Sequence, residues 1–439
     1  MDYKSYFKGK KVTVMGLGLL GGALNDALFL AEQGAELLIT DLKTEVELKS
    51  SLEKLSHIKN ITYVLGKHRL EDFQTADFII QPGNVPLDSV FLAEARKNNI
   101  PIYVSESLFA KYTEATLVGV TGTRGKSTTA HMIYEVLKKN PPQGAKVFLA
   151  GNVKNVSTLA LLGEVQKADI AVLELDSWAL HGMGDIKKSP HVAVFTTFFD
   201  DHLNFYKNDK ALYFEDKAQI FKHQTEKDVL VLGEQVSDMI REKCGKDIKS
   251  KVVVAKKMDD INLQILGEHN QYNASCAYQA LSALGMREAD IKKGLEDFKG
   301  VSGRLELVKE VGGIKIYNDT TATTPEATIA ALKALDKNII LIMGGADKGL
   351  DMTKLVEEIP KHCKKVVLLS GTGTDKIELR IKNLELGMKV NNLRDAVRES
   401  LADATEGDVI LFSPAFASFG MFKNEFDRGE KFLEEIKKL

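Results

Sequence analysis

Lys126 is preceded by three spaced glycines and followed by three hydroxyl residues, in Val118-Gly-Val-Thr-Gly-Thr-Arg-Gly-Lys-Ser-Thr-Thr129. A run of this kind can cradle phosphate. Gly119, Gly122 and Gly125 let the backbone turn tightly, so that N–H groups, Thr123's among them, face phosphate oxygens. A helix opening near Lys126 adds the positive end of its dipole. Lys126 supplies a mobile cation for the terminal phosphates, and the Ser127 or Thr128 hydroxyl suits Mg²⁺. The spacing departs from the usual GxxxxGK[ST] pattern, because Gly119 lies six residues before Gly125 instead of five.

A second glycine loop, Gly16-Leu-Gly-Leu-Leu-Gly21, follows a strand-like run, with Asp41 twenty residues beyond Gly21. This is the dinucleotide fingerprint: glycines for close approach to a pyrophosphate and an acidic residue for the next group along. NAD is one candidate ligand, and another diphosphate, such as that of a UDP-sugar, fits the same loop. Further polar residues stand at the ends of apolar runs: Asn152, then Glu174 and Asp176, then Asp200-Asp-His202. In open α/β sheets, ligands bind at the carboxyl ends of strands, so these groups should meet near the phosphate loop. Glu174 and His202 are candidate Mg²⁺ ligands. Lys217, flanked by Glu215 and Asp216 in a helical stretch, reads by pattern as a solvent-facing lysine. Asn270 and Asn273, spaced i, i+3, read as helix caps or as ligand hydrogen-bonders.

Elements with a βα rhythm must position these groups. Strands are expected at Lys11–Met15, Glu36–Thr40, Ile61–Leu65, Asp77–Ile80 and Ile102–Val104, then at Val147–Ala150, Ile170–Glu174, Val192–Phe195 and Val229–Leu232. A last set covers Ile314–Asn318, Ile339–Met343, Val366–Leu369 and Val409–Phe412, each ending in Gly-, Thr- or Asn-rich sequence. Helices are expected at Gly22–Gln33, Tyr213–Phe221 and Ala274–Leu284. The expected fold is α/β in three βα units, at 1–112, 113–300 and 301–439, the first Rossmann-like and the second opened by the phosphate loop.

Composition sets outer limits. The chain has 439 residues, 44% of them hydrophobic and 27% charged, with a net charge of −2. That is ordinary globular composition, long enough for two or three cores and without a bias toward nucleic acid. The three cysteines are far apart and odd in number, which argues for a reducing compartment and against a disulfide framework or zinc site. The apolar run after Lys8, Lys10 and Lys11 is broken by glycines and lacks a cleavage-like site. No apolar stretch reaches 18 residues, so the expectation is a cytoplasmic protein without membrane insertion.

Taken in order, the motifs resemble the Mur ligase family, and within it the branch that adds D-glutamate. The likeness covers essentially the whole chain. It runs through Gly16–Gly21, Thr121–Thr128, Gly151-Asn152, Glu174-Leu-Asp-Ser177, Asp200-Asp-His202 and Tyr213–Ile220. It continues through Gly267-x-His-Asn-x-x-Asn273, Gly303-Arg304, Asn318-Asp319, Gly344-Gly-Ala-Asp-Lys348, Ser413–Ser418, Met421–Asn424 and Arg428-Gly429. The resemblance implies an ATP-dependent amide ligase of peptidoglycan precursors, acting through an acyl phosphate, with UDP-N-acetylmuramoyl-L-alanine and D-glutamate as substrates and a monomeric state. It implies three domains, with a P-loop ATPase domain for the second unit and a Rossmann-like domain for the third. It places the UDP substrate at Gly18, Leu19, Leu20, Asp41, Gly83, Asn152 and Asp176. It places ATP at Gly122, Thr123, Gly125, Lys126, Ser127, Thr128, Asn270, Asn273, Arg304 and Asp319, and the amino acid at Thr323, Lys348 and Ser418. Lys126, Glu174, His202 and Lys217 become the catalytic set, with two Mg²⁺ ions at Ser127, Glu174, His202 and a carbamylated Lys217.

Four positions depart from the family pattern: Arg124 for Asn in the phosphate loop, Asp176 for Ser, Thr321 for Lys, and Glu425 for an aromatic residue. An acidic Asp176 beside an anionic substrate calls for a cation, and Arg124 is the candidate partner. Alternatives are a related ligase with another amino acid or nucleotide substrate, a folylpolyglutamate-synthase-like enzyme, and a nucleotide-binding regulator without ligase activity.

Overall fold

The computed structural model describes residues 3–18, 21–83, 85–86, 88–153, 156–202 and 205–439. Three sheets are present among them, carried by two compact bodies. The first body takes residues 1–258 and 272–295, the second 259–271 and 296–439.

The first body holds two parallel sheets. One consists of β1 (Lys11–Met15), β2 (Glu36–Asp41), β3 (Ile61–Leu65), β4 (Phe78–Ile80) and β5 (Ile102–Tyr103), in the order β3-β2-β1-β4-β5. The chain winds outward on both sides of β1, which opens a crevice at the carboxyl ends of β1 and β4. Two loops meet there: a Cβ built on Gly16 would lie 3.4 Å from the Pro82 ring. The other sheet has β6 (Thr116–Thr121), β7 (Val147–Gly151), β8 (Ile170–Glu174), β9 (Val192–Phe195), β10 (Val229–Gly233) and β11 (Lys251–Ala255), in the order β11-β10-β9-β6-β8-β7. β6 lies between β8 and β9, so the phosphate loop emerges with the ends of both strands as neighbours.

Burial explains the strand composition. Every residue of β8 and β9 is buried, as in a sheet covered on both faces. One hydrophobic cluster, from Phe7 and Leu30 through Leu117 and Leu173 to Leu230, runs through both sheets, which accounts for a single body carrying both. The second body holds β12 (Glu306–Val311), β13 (Ile314–Asn318), β14 (Ile339–Met343), β15 (Cys363–Leu369), β16 (Gly387–Val390) and β17 (Val409–Phe412), in the order β12-β13-β17-β14-β15-β16. β12 is antiparallel to β13 and the remaining pairs are parallel.

The expected strands are present with ends moved by a residue or a few. β11, β12 and β16 were not expected. Each lies at a sheet edge, where half-exposed residues blur the apolar run that marks a buried strand. The helix expected at Ala274–Leu284 begins at Glu268, so Asn270 and Asn273 lie inside it and do not cap its start.

Gly151, at the end of β7, has φ 88°, and a Cβ there would meet the Glu174 carbonyl oxygen at 2.1 Å. Gly144 is also left-handed, at φ 74°, but faces open space. Gly144→Ala should therefore cost only the backbone term, about 1–2 kcal/mol. Gly151→Ala should cost a further ~1–3 kcal/mol for the clash. Urea denaturation of the two variants measures the difference.

Candidate active site

The phosphate loop leaves β6 at Thr121 and enters the helix Lys126–Lys139 through Gly125, a left-handed residue with φ 88°. Gly122 has φ 146° and lies against Thr196, whose Oγ1 would be 2.0 Å from an added Cβ. The loop is clamped by the two threonines that follow β9. Thr196 Oγ1 lies 2.6 Å from the Arg124 carbonyl oxygen, and Thr197 Oγ1 lies 3.0 Å from it. The Arg124 N–H donates to Thr197 Oγ1 at 2.9 Å, and the Thr123 N–H to the Thr197 carbonyl at 2.7 Å. Thr196 and Thr197 were missed in the sequence; their place at the end of β9, just before Asp200-Asp-His202, was the available signal. Asn273 closes another side, its Oδ1 2.3 Å from where a Cβ on Gly125 would be. Ser127 is buried and Thr128 half-buried in the first turn of the helix.

Two lysines converge on one oxygen. Lys126 Nζ donates to the Gly122 carbonyl at 2.9 Å and to that of Thr123 at 3.1 Å. Lys217 Nζ donates to the same Gly122 carbonyl at 3.0 Å. The two nitrogens are thus no farther apart than those two bonds laid end to end. The solvent-facing reading of Lys217 is overturned: its relative exposure is 1%. On the helix Lys210–Lys222 the buried side chains include Tyr213, Phe214, Lys217, Ala218 and Phe221, so helical periodicity places position 217 in the apolar stripe despite its acidic neighbours. Tyr213 lies under the ammonium, with Nζ 4.9 Å from the ring centre. Burial, then the nearby Lys126 charge, hold Lys217 well below the usual lysine range, with Asp176, Asp201 and Asp216 opposing.

Around this pair stand the strand-end residues. Glu174, 4% exposed, closes β8. Its carbonyl accepts from the Asn152 N–H at 2.9 Å, which sets Asn152 beside it. His202 has φ 51°, a strained value for a residue with a Cβ. Its ring lies 4.9 Å from that of Trp178, and Trp178 in turn packs on Gly83 so closely that a Cβ there would meet it at 2.7 Å. Burial, with help from Lys126 and Lys217, lowers the His202 pKa against the opposing pull of Asp201 and keeps the ring neutral. Asp176 caps the helix Ser177–Asp185, accepting from the Ala179 N–H at 2.8 Å. Its expected partner is corrected: Arg124 Nη1 pairs with Asp201 Oδ2 at 3.5 Å, and the Asp176 charge bears instead on Lys217.

The first sheet's glycine loop is occupied by its own acidic residue. Asp41 Oδ2 accepts from the Leu17 N–H at 2.8 Å and the Gly18 N–H at 3.1 Å, and Oδ1 from the Lys43 N–H at 2.8 Å. Asp41 thereby shapes the loop. Leu19 and Leu20, named from the sequence, lie outside the described residues.

In the second body, Asp319 is buried after β13. Its carboxylate accepts from the Leu305 N–H at 3.0 Å and from Ser413 Oγ at 2.8 Å. Burial raises its pKa to about 7, opposed by those bonds and by the Arg304 charge. Lys348 Nζ donates to Thr323 Oγ1 at 3.0 Å. Ala346 and Ala417 bridge through paired N–H···O bonds of 2.9 and 3.2 Å, which sets the Ser418 turn beside the loop that carries Lys348. Thr321 Oγ1 donates to the Gly303 carbonyl at 3.0 Å, so this departure from lysine serves to tie two loops together. Asn270, also in this body, donates from Nδ2 to the Leu266 carbonyl at 2.7 Å.

Comparison with known proteins places this arrangement. The Mur ligase middle domain model matches residues 120–281, and the Mur ligase, glutamate ligase domain model matches residues 303–416. The UDP-N-acetylmuramoylalanine–D-glutamate ligase of Roseiflexus sp. (strain RS-1) is 35% identical, over 97% of each chain. The enzyme of the same name from Borreliella burgdorferi (strain ZS7) is 34% identical over 98% of each. Among solved structures, the UDP-N-acetylmuramate-alanine ligase of Thermotoga maritima superposes with a TM-score of 0.63 at 19% identity, covering 98% of this chain and 99% of that one. The MurF ligase of the same organism, crystallised with ADP, gives 0.59 at 19%, covering 99% and 96%. The likeness to relatives spans both bodies from end to end, and the chain belongs to the Mur ligase family.

Proposed function

We propose that this chain is an ATP-dependent amide ligase that joins D-glutamate to UDP-N-acetylmuramoyl-L-alanine, a step in building peptidoglycan precursors, with release of ADP and phosphate. The observation that carries this reading is the end-to-end identity of about a third with relatives of that name. We assign the UDP substrate to residues 1–112 together with Asn152 and Asp176, ATP to the phosphate loop and the helix Lys126–Lys139, and the amino acid to 301–439. No helix among the described residues is long and apolar enough to cross a membrane; we assign the enzyme to the cytoplasm, as a monomer.

In the reaction, the terminal carboxylate of the nucleotide substrate attacks the γ-phosphorus of ATP, ADP leaves, and an acyl phosphate forms. The amine of D-glutamate then adds to the acyl carbon, loses a proton, and phosphate departs. Two anions must meet in the first step, so charge neutralisation dominates. Lys126 is placed to move from the loop carbonyls it now holds onto the terminal phosphates. The start of the helix Lys126–Lys139 receives the rest of the phosphate charge; the Thr123 N–H, expected to face phosphate, is instead held by the Thr197 carbonyl, and that of Arg124 by Thr197 Oγ1.

The donor set suits Mg²⁺. Ser127 offers a hydroxyl, Glu174 a buried carboxylate and His202 a neutral imidazole. Among the described residues no three His, Cys, Asp or Glu side chains form a metal cage. Phosphate and water oxygens would complete the shell, the usual habit of this ion. When bound, Mg²⁺ supplies positive charge to the phosphate oxygens. The two ammonium groups on the Gly122 oxygen favour a neutral Lys217, and a neutral amine can add to CO₂, forming an N–C bond and releasing one proton. The product is a carbamate anion. It would turn repulsion from Lys126 into attraction and would offer a second Mg²⁺ an oxygen ligand.

Three outcomes are expected. Phosphate release should require both UDP-N-acetylmuramoyl-L-alanine and D-glutamate in a panel of D- and L-amino acids; release with a different amino acid would sink the substrate assignment. Lys217→Met should lower kcat by about a hundredfold or more, and wild-type activity should fall in CO₂-depleted buffer and return with bicarbonate. An activity indifferent to bicarbonate counts against the carbamate. Finally, Asp319 has a folded pKa of about 7 against an ordinary 3.8. The folded protein therefore holds a proton that the unfolded chain gives up earlier. The stability this group contributes is complete below the ordinary value and is lost as pH rises through the folded one. Chemical denaturation should show the stability of wild type relative to Asp319→Asn falling across that window.

A further inference from the structure

Arg428, on the helix Glu425–Lys437, is fully buried at 0% exposure. Its guanidinium makes three hydrogen bonds: Nη2 to the Thr320 carbonyl at 2.7 Å, Nη1 to the Phe416 carbonyl at 3.0 Å, and Nε to Thr320 Oγ1 at 3.3 Å. All three acceptors are neutral, and no ion pair to Arg428 is present among the described residues. The acidic charge that bears on it is Glu425, one turn earlier on its own helix. Burial brings its pKa down to about 10, which leaves it protonated at neutral pH.

A buried cation without a direct counter-charge costs stability, and an apolar residue of similar volume is commonly the more stable choice. A rigid fork of donors is what such a residue cannot replace. Arg428 spans two strand-end segments: Thr320 follows β13, and Phe416 follows β17. The first leads directly to Thr321 and Thr323, the second to Ala417 and Ser418. Ala417 bridges Ala346 on the loop to Lys348, and Lys348 reaches back to Thr323. The guanidinium thus ties together the bases of the segments that carry Thr323 and Ser418, on either side of the Lys348 loop. The surroundings enforce that contact. Gly429 presses on Thr320, where a Cβ would meet Cγ2 at 2.6 Å. Thr320 Oγ1 donates to the Glu425 carbonyl at 2.9 Å. The Phe432 ring packs on Phe412 with centres 4.5 Å apart, docking the helix on its sheet.

We propose that Arg428 is a positioning residue for the amino-acid substrate: it sets the two segments in register and leaves positive charge beneath them, favouring an amino acid with two carboxylates over one with a single carboxylate. This rests on the reading of the second body as the amino-acid site.

The test is steady-state kinetics of purified Arg428→Met, Arg428→Lys and Thr320→Ala alongside wild type. Arg428→Met should raise the KM for D-glutamate about tenfold or more while the KM for ATP stays within about twofold. Lys keeps the charge but loses the planar fork, so Arg428→Lys should recover part of the loss and retain the preference for D-glutamate over D-glutamine that the Met variant loses. Thr320→Ala removes one acceptor and should raise the KM for D-glutamate by about two- to fivefold. Parallel changes in kcat and both KM values, or a lower Tm with both KM values unchanged, overturn the proposal. If Arg428→Met does not fold, the Lys and Thr320 variants decide by the same criterion. A wild-type enzyme that uses no acidic amino acid sinks the functional reading itself; one that uses D-glutamate, with variants that do not separate the two KM values, sinks only the role of Arg428.

Discussion

The carbonyl oxygen of Gly122 accepts from two lysines that belong to distant parts of the chain. Lys126 arrives from the next turn of the backbone, and Lys217 from a helix 95 residues away. Like charges held this close, with one of them buried, are unfavourable as two ammonium ions. The arrangement is tenable if one amine gives up its proton, and burial selects Lys217. Everything around the pair serves to keep this geometry: Thr196 and Thr197 clamp the loop, Tyr213 lines the buried side, and Asp176, Asp201 and Asp216 moderate the field. The carbamate proposed for Lys217 draws its support from that single crowded oxygen.

The second body shows the same principle in another form. Asp319 is a carboxylate with neutral donors, and Arg428 is a guanidinium with neutral acceptors. Both are buried ionisable groups that hydrogen-bond neutral partners, the Leu305 N–H and Ser413 hydroxyl for Asp319 and the Thr320 and Phe416 oxygens for Arg428, while the Arg304 charge also bears on Asp319. Such groups lower stability, and their retention makes sense where a charged ligand completes them. Two loop ends are also brought into register there by backbone pairing between Ala346 and Ala417. The residues assigned to the amino acid are therefore positioned by main-chain geometry, with side chains added on top of it.

Arg124 illustrates how backbone and side-chain roles can separate at one position. Its N–H and carbonyl are gripped by the threonines after β9, contacts that an asparagine would keep equally well. Its side chain is half exposed and reaches Asp201, a neighbour of His202. Asp176 likewise has a local task, the N-cap of its helix, that any residue with a short oxygen-bearing side chain performs. These two departures thus leave the loop and helix contacts intact, and their charges act on Asp201, Tyr213 and Lys217 nearby.

Much of the architecture was legible in the chain itself. Alternating apolar runs marked the central strands, because a strand buried on both faces must be apolar along its length. Glycine spacing marked the two ligand loops, because only glycine takes the left-handed turns at Gly16, Gly18, Gly122 and Gly125 without strain. Motif order then carried the family. Edge strands such as β12 and β16 stayed hidden, since half-exposed residues do not show that run. What sequence by itself could not decide was the state of the charged groups. Flanking acids made Lys217 look solvated, and Arg124 seemed destined for Asp176. Desolvation and Coulomb terms depend on distances through space between residues far apart in the chain. Tertiary packing alone put Lys217 beside Lys126, Arg124 beside Asp201, and Arg428 among neutral oxygens.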